Sequence, residues 1–234
     1  MSDKQLISGL NTGRSAKLFD AACKLIPGGV NSTARATWSG WNPYPLFVKD
    51  GKGSHLTDVD GNEYIDYLLG LGPMIFGHRP PKVTQAVVDF IQNRGTVFAL
   101  PTEDEARLAQ KIVDAIPSVD MVRLCNTGTE AVLYATRLAR AFTKRSKIIR
   151  FEGMYHGFSD GVYWSKHPNI AKAGPDDHPV PVPQGPGMPK GVEENLIILP
   201  WNDADLLADT IKRHGDQIAA VLTEPVMCNT GCIL

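Results

Sequence analysis

The sequence is poor in cysteine and shows no excess of positive charge. Its four cysteines are Cys23, Cys125, Cys228 and Cys232. They are too few and too scattered for a disulfide framework, so we expect reduced and mostly buried thiols. Cys228 and Cys232 form a weak metal pair, but no further Cys or His pair has zinc-site spacing. A formal net charge of -1 indicates neither a nucleic acid nor an anionic membrane as partner.

Long apolar runs are missing as well. No run approaches the roughly 20 residues needed to cross a bilayer. The first residues, MSDKQLISGLNTGRSAK, lack the apolar core of a secretory signal. The remaining composition, with 43% hydrophobic and 21% charged residues, is that of a globular protein. The sequence therefore indicates a soluble, cytoplasmic protein.

Hydrophobic periodicity divides the chain near residue 75. Residues 1–75 predict an N-terminal lobe with a helix over 15–26, a loop, and an antiparallel meander with turns at Asp50-Gly51 and Asp60-Gly61. In residues 76–234, predicted strands alternate with helices: strands 120–126, 147–153, 195–200 and 219–226, and helices 81–95, 103–116, 127–145 and 203–215. This alternation predicts an α/β fold whose mostly parallel sheet is covered by helices on both faces.

One segment interrupts the alternation. Residues 171–191 are dense in Pro and Gly. Loops of this length in compact domains are usually functional or disordered. Because the segment follows a candidate site motif, we expect it to cover an active site; disorder without a function is the alternative.

The most distinctive motif is Asn126–Glu130, which lies between an apolar run and a long predicted helix. The first N–H groups of a helix lack intrahelical acceptors and carry partial positive charge. Gly128 permits close approach of an anion, and Thr127 and Thr129 add hydroxyl donors, so the pattern predicts a phosphate site. A simple helix cap by either threonine is the competing interpretation, and these five residues alone do not decide between them. Neither a P-loop nor a G-x-G-x-x-G fingerprint is present.

Two further motifs lie at the carboxyl ends of predicted strands, where ligands of parallel sheets bind. In Glu152–Gly157, Tyr155 is a candidate ring for stacking on a flat ligand, with a core aromatic as the alternative; His156 is better interpreted as structural. In Glu224–Val226, followed by Asn229, a carboxylate at a strand end needs a partner if it is buried. An exposed loop acid is the alternative for Glu224.

These motifs, in this order, resemble the class III aminotransferases, which are pyridoxal 5'-phosphate (PLP) enzymes of fold type I. Four N-terminal segments narrow the resemblance to the glutamate-1-semialdehyde 2,1-aminomutase branch and its transaminase relatives: Pro27–Arg35, Asp58–Tyr67, Gly72–His78 and Pro101–Ala109. The resemblance implies a large PLP-binding domain over 76–234 that is incomplete, joined to the small N-terminal lobe, and a homodimer.

The resemblance also implies roles for individual residues. Those expected at the cofactor are Thr127, Gly128 and Thr129 on its phosphate, Tyr155 on its ring, and His156, Glu224 and Asn229 in the surrounding polar network. Tyr155 and Glu224 are the expected catalytic residues. Ser32 and Arg35 match positions that meet a substrate carboxylate, which a guanidinium can grip in bidentate fashion.

Some residues depart from the aminomutase pattern. Thr33 replaces the usual Pro, and Gly70-Leu71 replaces a Ser-Trp pair that belongs to the substrate pocket. The main expectation is therefore amino-group transfer between a small-molecule amino donor and a keto acid. The alternatives are intramolecular transfer by an aminomutase, and a non-catalytic fragment that binds only a phosphate ligand or a partner subunit.

The family's catalytic apparatus extends past the motifs seen here. The D-E-V strand, whose Asp pairs with the pyridine nitrogen, and the Schiff-base lysine would follow Glu224 by a few dozen residues, and the chain ends at Leu234. We therefore expect the Schiff-base lysine to lie outside these 234 residues and the chain alone to be inactive.

Overall fold

A computed structural model describes residues 10–234 of the chain. It divides into two compact units, one that ends at Pro101 and one that spans Thr102–Leu234. The division falls after Pro101 and not near residue 75. Residues just beyond 75 are bonded to the meander, because Gly53 and His78 exchange backbone hydrogen bonds and Arg79 Nε donates to the Gly51 carbonyl.

The first unit contains a short helix, a three-stranded meander and a second helix. In its described part the bounds are α1 Gly13–Cys23, β1 Val48–Lys52, β2 His55–Asp58, β3 Glu63–Ile65 and α2 Pro81–Arg94. The strands are antiparallel in the order β1-β2-β3, as the alternation predicted. The predicted turn at Asp50-Gly51 is wrong: both residues pair within β1, and the chain turns at Gly53-Ser54, with Gly53 at a φ of 57°.

Asp58 stabilises the turn of this meander, and Asp60 holds the meander to the start of α1. Asp58 accepts hydrogen bonds from the Asn62 backbone and side chain and from the Tyr64 hydroxyl. Burial alone would raise the pKa of Asp58, but these hydrogen bonds outweigh it and lower that pKa. Asp60 accepts from the N–H groups of Arg14 and Ser15, in the first turn of α1.

The second unit is built on a parallel sheet. Its elements are α3 Glu103–Ala115, α4 Gly128–Thr143, β4 Lys147–Phe151, α5 Ile170–Ala173, β5 Leu196–Leu199, α6 Ala204–His214 and β6 Ile218–Leu222. The strand order is β5-β4-β6. The central strand β4 is buried from Ile148 to Phe151, as expected of a strand covered on both faces. This confirms the α/β fold. In the described residues, no helix is long and apolar enough to cross a membrane.

The strand predicted over 120–126 is wrong. Residues 121–125 have no regular secondary structure and pair with no strand in the described part of the chain. Met121 is 89% exposed. An apolar run becomes a strand only where a neighbouring strand supplies hydrogen-bond partners, and residues 10–234 place none beside this one.

The Pro-rich segment 171–191 follows a defined path. The segment begins within α5. Further along it, Val182 lies against Ser165, and the Ser165 backbone N–H donates to the Val182 carbonyl at 2.7 Å. The Ser165 hydroxyl accepts from Val182 N–H at 2.9 Å and donates to the Val180 carbonyl at 3.2 Å. These bonds argue against the disorder alternative at this point, while a covering role stays a prediction.

Replacing Ser165 tests this attachment. Ser165 is fully buried, so Ser165→Ala leaves the Val182 N–H without its acceptor. We expect the free energy of unfolding to fall by about 1–3 kcal/mol, measured by urea denaturation. Ser118→Ala, at an exposed position, is the control. Equal stability of the two variants would contradict the account.

Candidate functional site

The N-terminus of α4 is closed by a capping box. The Thr127 hydroxyl accepts from Glu130 N–H at 3.1 Å, and the Glu130 carboxylate accepts from the N–H groups of Thr127 at 2.8 Å and Asn126 at 2.9 Å. The Thr127 hydroxyl also donates to the same carboxylate at 3.2 Å. The cap predicted as an alternative for Thr127 is therefore present, and its hydroxyl is already engaged.

Two donors of this helix end remain between the capped ones. Gly128 and Thr129 lie in the first turn, where backbone N–H groups have no intrahelical acceptor. A Cβ atom added to Gly128 would meet nothing within 4 Å. The space that a Gly128 side chain would occupy is therefore open, and the positive end of the α4 dipole favours an anion at this turn.

The segment after β4 packs directly on this helix end. We call residues 152–163 the aromatic loop, since it carries Tyr155, Phe158 and Tyr163. Gly157 has a φ of 95°, and a Cβ there would lie 2.6 Å from Thr129 Oγ1. Phe158 N–H donates to Thr129 Oγ1 at 3.4 Å. The first two motifs therefore meet, and the Thr129 hydroxyl keeps its own proton to donate.

Tyr155 is half-buried at the centre of the aromatic loop. Its ring contacts Phe158 and Tyr163 edge-on, at centroid distances of 5.7 and 6.3 Å. Lys166 Nζ lies 4.6 Å from the ring centroid, in a cation–π contact. Burial raises the pKa of Tyr155, and Tyr163 adds to the effect. The hydroxyl therefore stays protonated at neutral pH.

The third motif meets the second at His156. His156 Nε2 lies 3.3 Å from Glu224 Oε1. Neither atom forms an aligned hydrogen bond with any described residue, and both are buried. Burial lowers the pKa of His156 to about 4, with the positive charge of Arg150 as the second cause. His156 is therefore neutral at pH 7 and is close to Glu224 without forming an ion pair there.

The loop after Glu224 also closes on the aromatic loop. Glu224 Oε2 accepts from Cys228 N–H at 3.3 Å. A Cβ added to Gly153 would lie 2.7 Å from the Thr230 methyl group. Asn229, between these residues, is exposed, and no side-chain hydrogen bond is seen for it within residues 10–234. Its place in the polar network stays a prediction.

Ser32 and Arg35 lie in the first unit. Arg35 N–H donates to the Ser32 carbonyl at 3.0 Å in a short turn, and the Arg35 side chain is exposed. It lines a largely apolar cavity of about 310 Å³ together with Trp41, Leu46 and Tyr67. A carboxylate gripped there would have apolar surface beside it. The role of both residues in substrate binding stays a prediction.

Sequence reasoning missed Arg150 and Lys166. Arg150 is 1% exposed within β4, and a charged residue inside the apolar run Lys147–Phe151 was a signal that it needed buried partners. Lys166 gave no comparable signal, because its contact with Tyr155 depends on the path of the loop between them.

The chain is similar to a known protein family and to several known proteins. Residues 37–234 match the family described as Aminotransferase class-III. The chain is 45% identical to glutamate-1-semialdehyde 2,1-aminomutase of Desulfovibrio desulfuricans over 220 residues, which are 94% of this chain and 50% of that protein. An omega-transaminase from Sphaerobacter thermophilus superposes with a TM-score of 0.87 at 36% identity, with 96% of this chain and 49% of that chain covered. A transaminase with PLP bound gives 0.85 at 34% identity, covering 96% and 50%. The chain spans about half the length of the curated relatives it matches.

The depressed pKa of His156 predicts a pH effect on stability. The unfolded chain takes up a proton near the ordinary pKa of 6.5, whereas the folded chain does so only near 4. The free energy of unfolding therefore falls as pH is lowered through this window, by at most about 1.4 kcal/mol per pH unit. Urea denaturation at several pH values should show a steeper loss for the unaltered protein than for His156→Gln. Parallel curves would contradict the burial of a neutral His156.

Proposed function

Because this chain belongs to the class III aminotransferases, we propose that its second unit binds pyridoxal 5'-phosphate and that the protein transfers an amino group from a small-molecule amino donor to a keto acid. The cofactor, when bound, supplies the electron sink that stabilises negative charge at the substrate carbon. The observation that supports the proposal is the contact of Thr129 with Gly157 and Phe158, because it brings the loop that carries Tyr155 against the first turn of α4.

The residues present fit this cofactor. The N–H groups of Gly128 and Thr129 and the Thr129 hydroxyl would hold the phosphate, because they are the donors that the capping box leaves available. Thr127 contributes by shaping the helix end. Tyr155 would lie against the flat ring.

His156 and Glu224 would form the polar wall of the site. His156 is neutral and can donate one hydrogen bond and accept another, and its ring nitrogens are unpartnered within the described chain. Glu224 supplies a carboxylate 3.3 Å away. The two together suit a ligand that brings polar groups of its own, since buried polar atoms without partners are costly.

Arg35 is our candidate for the substrate carboxylate. A guanidinium offers two parallel donors to a carboxylate, and the apolar cavity beside it suits the substrate's carbon chain.

We also propose a homodimer in the cytoplasm. Leu138 and Phe142 lie one turn apart on α4 and are 69% and 86% exposed. Such neighbouring apolar side chains are typical of surfaces that are covered by another protein. The four cysteines form no disulfide among the described residues, which suits a reducing compartment.

An aminomutase is the second candidate. It is favoured by the curated relatives, which are named glutamate-1-semialdehyde 2,1-aminomutase at 42–45% identity. The segment Leu69–Leu71, which includes the departure at Gly70-Leu71, has φ values of 51°, 61° and 64°. Such conformations are strained for leucine and concentrate at functional sites. The replacement of the Ser-Trp pair by Gly70-Leu71 in this segment favours a substrate pocket that differs from the aminomutase pattern.

One assay separates the two candidates. The complete protein is given glutamate 1-semialdehyde without any other amino donor or acceptor. An aminomutase converts it, whereas a transaminase requires a separate amino donor and keto acid. We expect turnover only with the donor and acceptor pair, and rapid conversion of the semialdehyde alone would contradict the transaminase assignment.

Gly128→Val tests the phosphate site. The side chain enters space that is open in the structure, so the fold is kept while the anion is excluded. Loss of charge-assisted hydrogen bonds should weaken PLP binding by at least about tenfold, measured by equilibrium titration. Gly185→Val is the matched control, because a Cβ there also meets nothing within 4 Å. Unchanged PLP affinity in Gly128→Val would refute the site.

Tyr155 should act through its ring. Tyr155→Phe keeps the aromatic face and should leave PLP affinity nearly unchanged. Tyr155→Ala should lose stacking worth about 0.5–1.5 kcal/mol. Binding titrations of both variants check this. If the Phe variant were as weak as the Ala variant, the hydroxyl would be the important group.

A further inference from the structure

Arg150 is a charged residue in the middle of the parallel sheet. It lies on the central strand β4, between Ile149 and Phe151, and is 1% exposed. An arginine in such a place is strongly destabilising unless its donors are bonded and its charge is balanced. Its partners therefore show what its presence stabilises.

The guanidinium bonds to two points of the aromatic loop. Nη1 donates to the Val162 carbonyl and Nη2 to the Met154 carbonyl. Glu224 is the nearby negative charge that offsets it: burial lowers the pKa of Arg150 to about 10, and Glu224 opposes that change. Arg150 is thus still charged at pH 7, and its two bonds are charge-assisted.

The positions of the two acceptors are specific. The Met154 carbonyl belongs to the peptide that precedes Tyr155, and the Val162 carbonyl to the peptide that precedes Tyr163. These two rings contact each other edge-on at 6.3 Å. One planar group therefore fixes the peptides that orient both rings, at the two ends of the loop between them.

We propose that Arg150 is a positioning residue for Tyr155: its guanidinium ties both ends of the aromatic loop to β4 and so sets the orientation of the Tyr155 ring. That this ring receives the cofactor rests on the proposed function; that Arg150 fixes the loop does not. The hydrogen bonds of Arg150 within residues 10–234 go to the Val162 and Met154 carbonyls, so its proposed effect on the cofactor acts through the aromatic loop.

The test compares Arg150→Lys with Arg145→Lys in the complete protein. Lysine keeps the charge but lacks the fork that reaches two carbonyls. Arg145 is the matched control, because its Nη1 also donates to a backbone carbonyl, that of Ile218, at 3.4 Å, away from the aromatic loop.

The first measurement is amide hydrogen exchange without cofactor. In Arg150→Lys, amides of residues 155–164 should exchange about tenfold faster or more, as expected for the loss of one charge-assisted bond. Amides of α4 and α6 should be unchanged, and Arg145→Lys should leave the loop protected. Unchanged loop exchange in Arg150→Lys, or uniformly faster exchange over the whole unit, would overturn the proposal.

The second measurement separates positioning from general stability. Arg150→Lys should weaken PLP binding about tenfold while leaving the affinity for inorganic phosphate unchanged, since phosphate needs only the α4 end. Equal losses for both ligands, or unchanged PLP affinity, would overturn the link to Tyr155. If the unaltered protein bound no PLP, the proposed function would fail, and hydrogen exchange would still decide whether Arg150 fixes the loop.

A measurement on the unaltered protein covers the case in which Arg150→Lys does not fold. The guanidinium protons of Arg150 should be protected from exchange with water. The free energy of the opening that exposes them should equal that for the amides of residues 155–164. Guanidinium protons that exchange freely while these amides stay protected would overturn the proposal.

Discussion

The candidate site depends on the packing of one threonine against one glycine. Thr129 lies in the first turn of α4, and Gly157 lies in the aromatic loop that follows β4. An added Cβ on Gly157 would fall 2.6 Å from the Thr129 hydroxyl oxygen. Only a residue without a side chain permits this approach, and its φ of 95° also suits glycine. Because of this contact, the aromatic loop that carries Tyr155 lies against the first turn of α4, as the proposed site requires.

The charges around this contact are balanced below the surface. Arg150 is buried in β4, and the Glu224 carboxylate offsets its charge, while the nearby His156 stays neutral. The arrangement leaves polar atoms of His156 and Glu224 unpartnered among the described residues. Buried polar atoms of this kind are uncommon unless a ligand or water completes them.

Sequence patterns within a few residues predicted much of this structure. The errors arose where the structure depends on contacts between residues that are distant in the sequence. The periodicity of α4 and its cap are encoded within a few residues, so the helix was predicted and a cap by Thr127 was one of two interpretations of its N-terminus. Asp50-Gly51 has the same local signal as Asp60-Gly61, yet pairing with β2 moved the turn to Gly53-Ser54. Residues 120–126 have the composition of a strand but no neighbouring strand among the described residues. The role of Arg150 could not be predicted, because its acceptors are set by the path of the aromatic loop.

The central claim is that the first turn of α4 and the aromatic loop form one binding site for a flat phosphate ester. The most direct measurement is NMR titration of the isotope-labelled complete protein with pyridoxal 5'-phosphate and, in parallel, with pyridoxal. With the phosphate ester, the largest shifts should fall on the amides of Gly128, Thr129 and Phe158 and on the Tyr155 ring. Pyridoxal should leave Gly128 and Thr129 unshifted. Shifts at these two amides with both ligands, or with neither, would contradict the account.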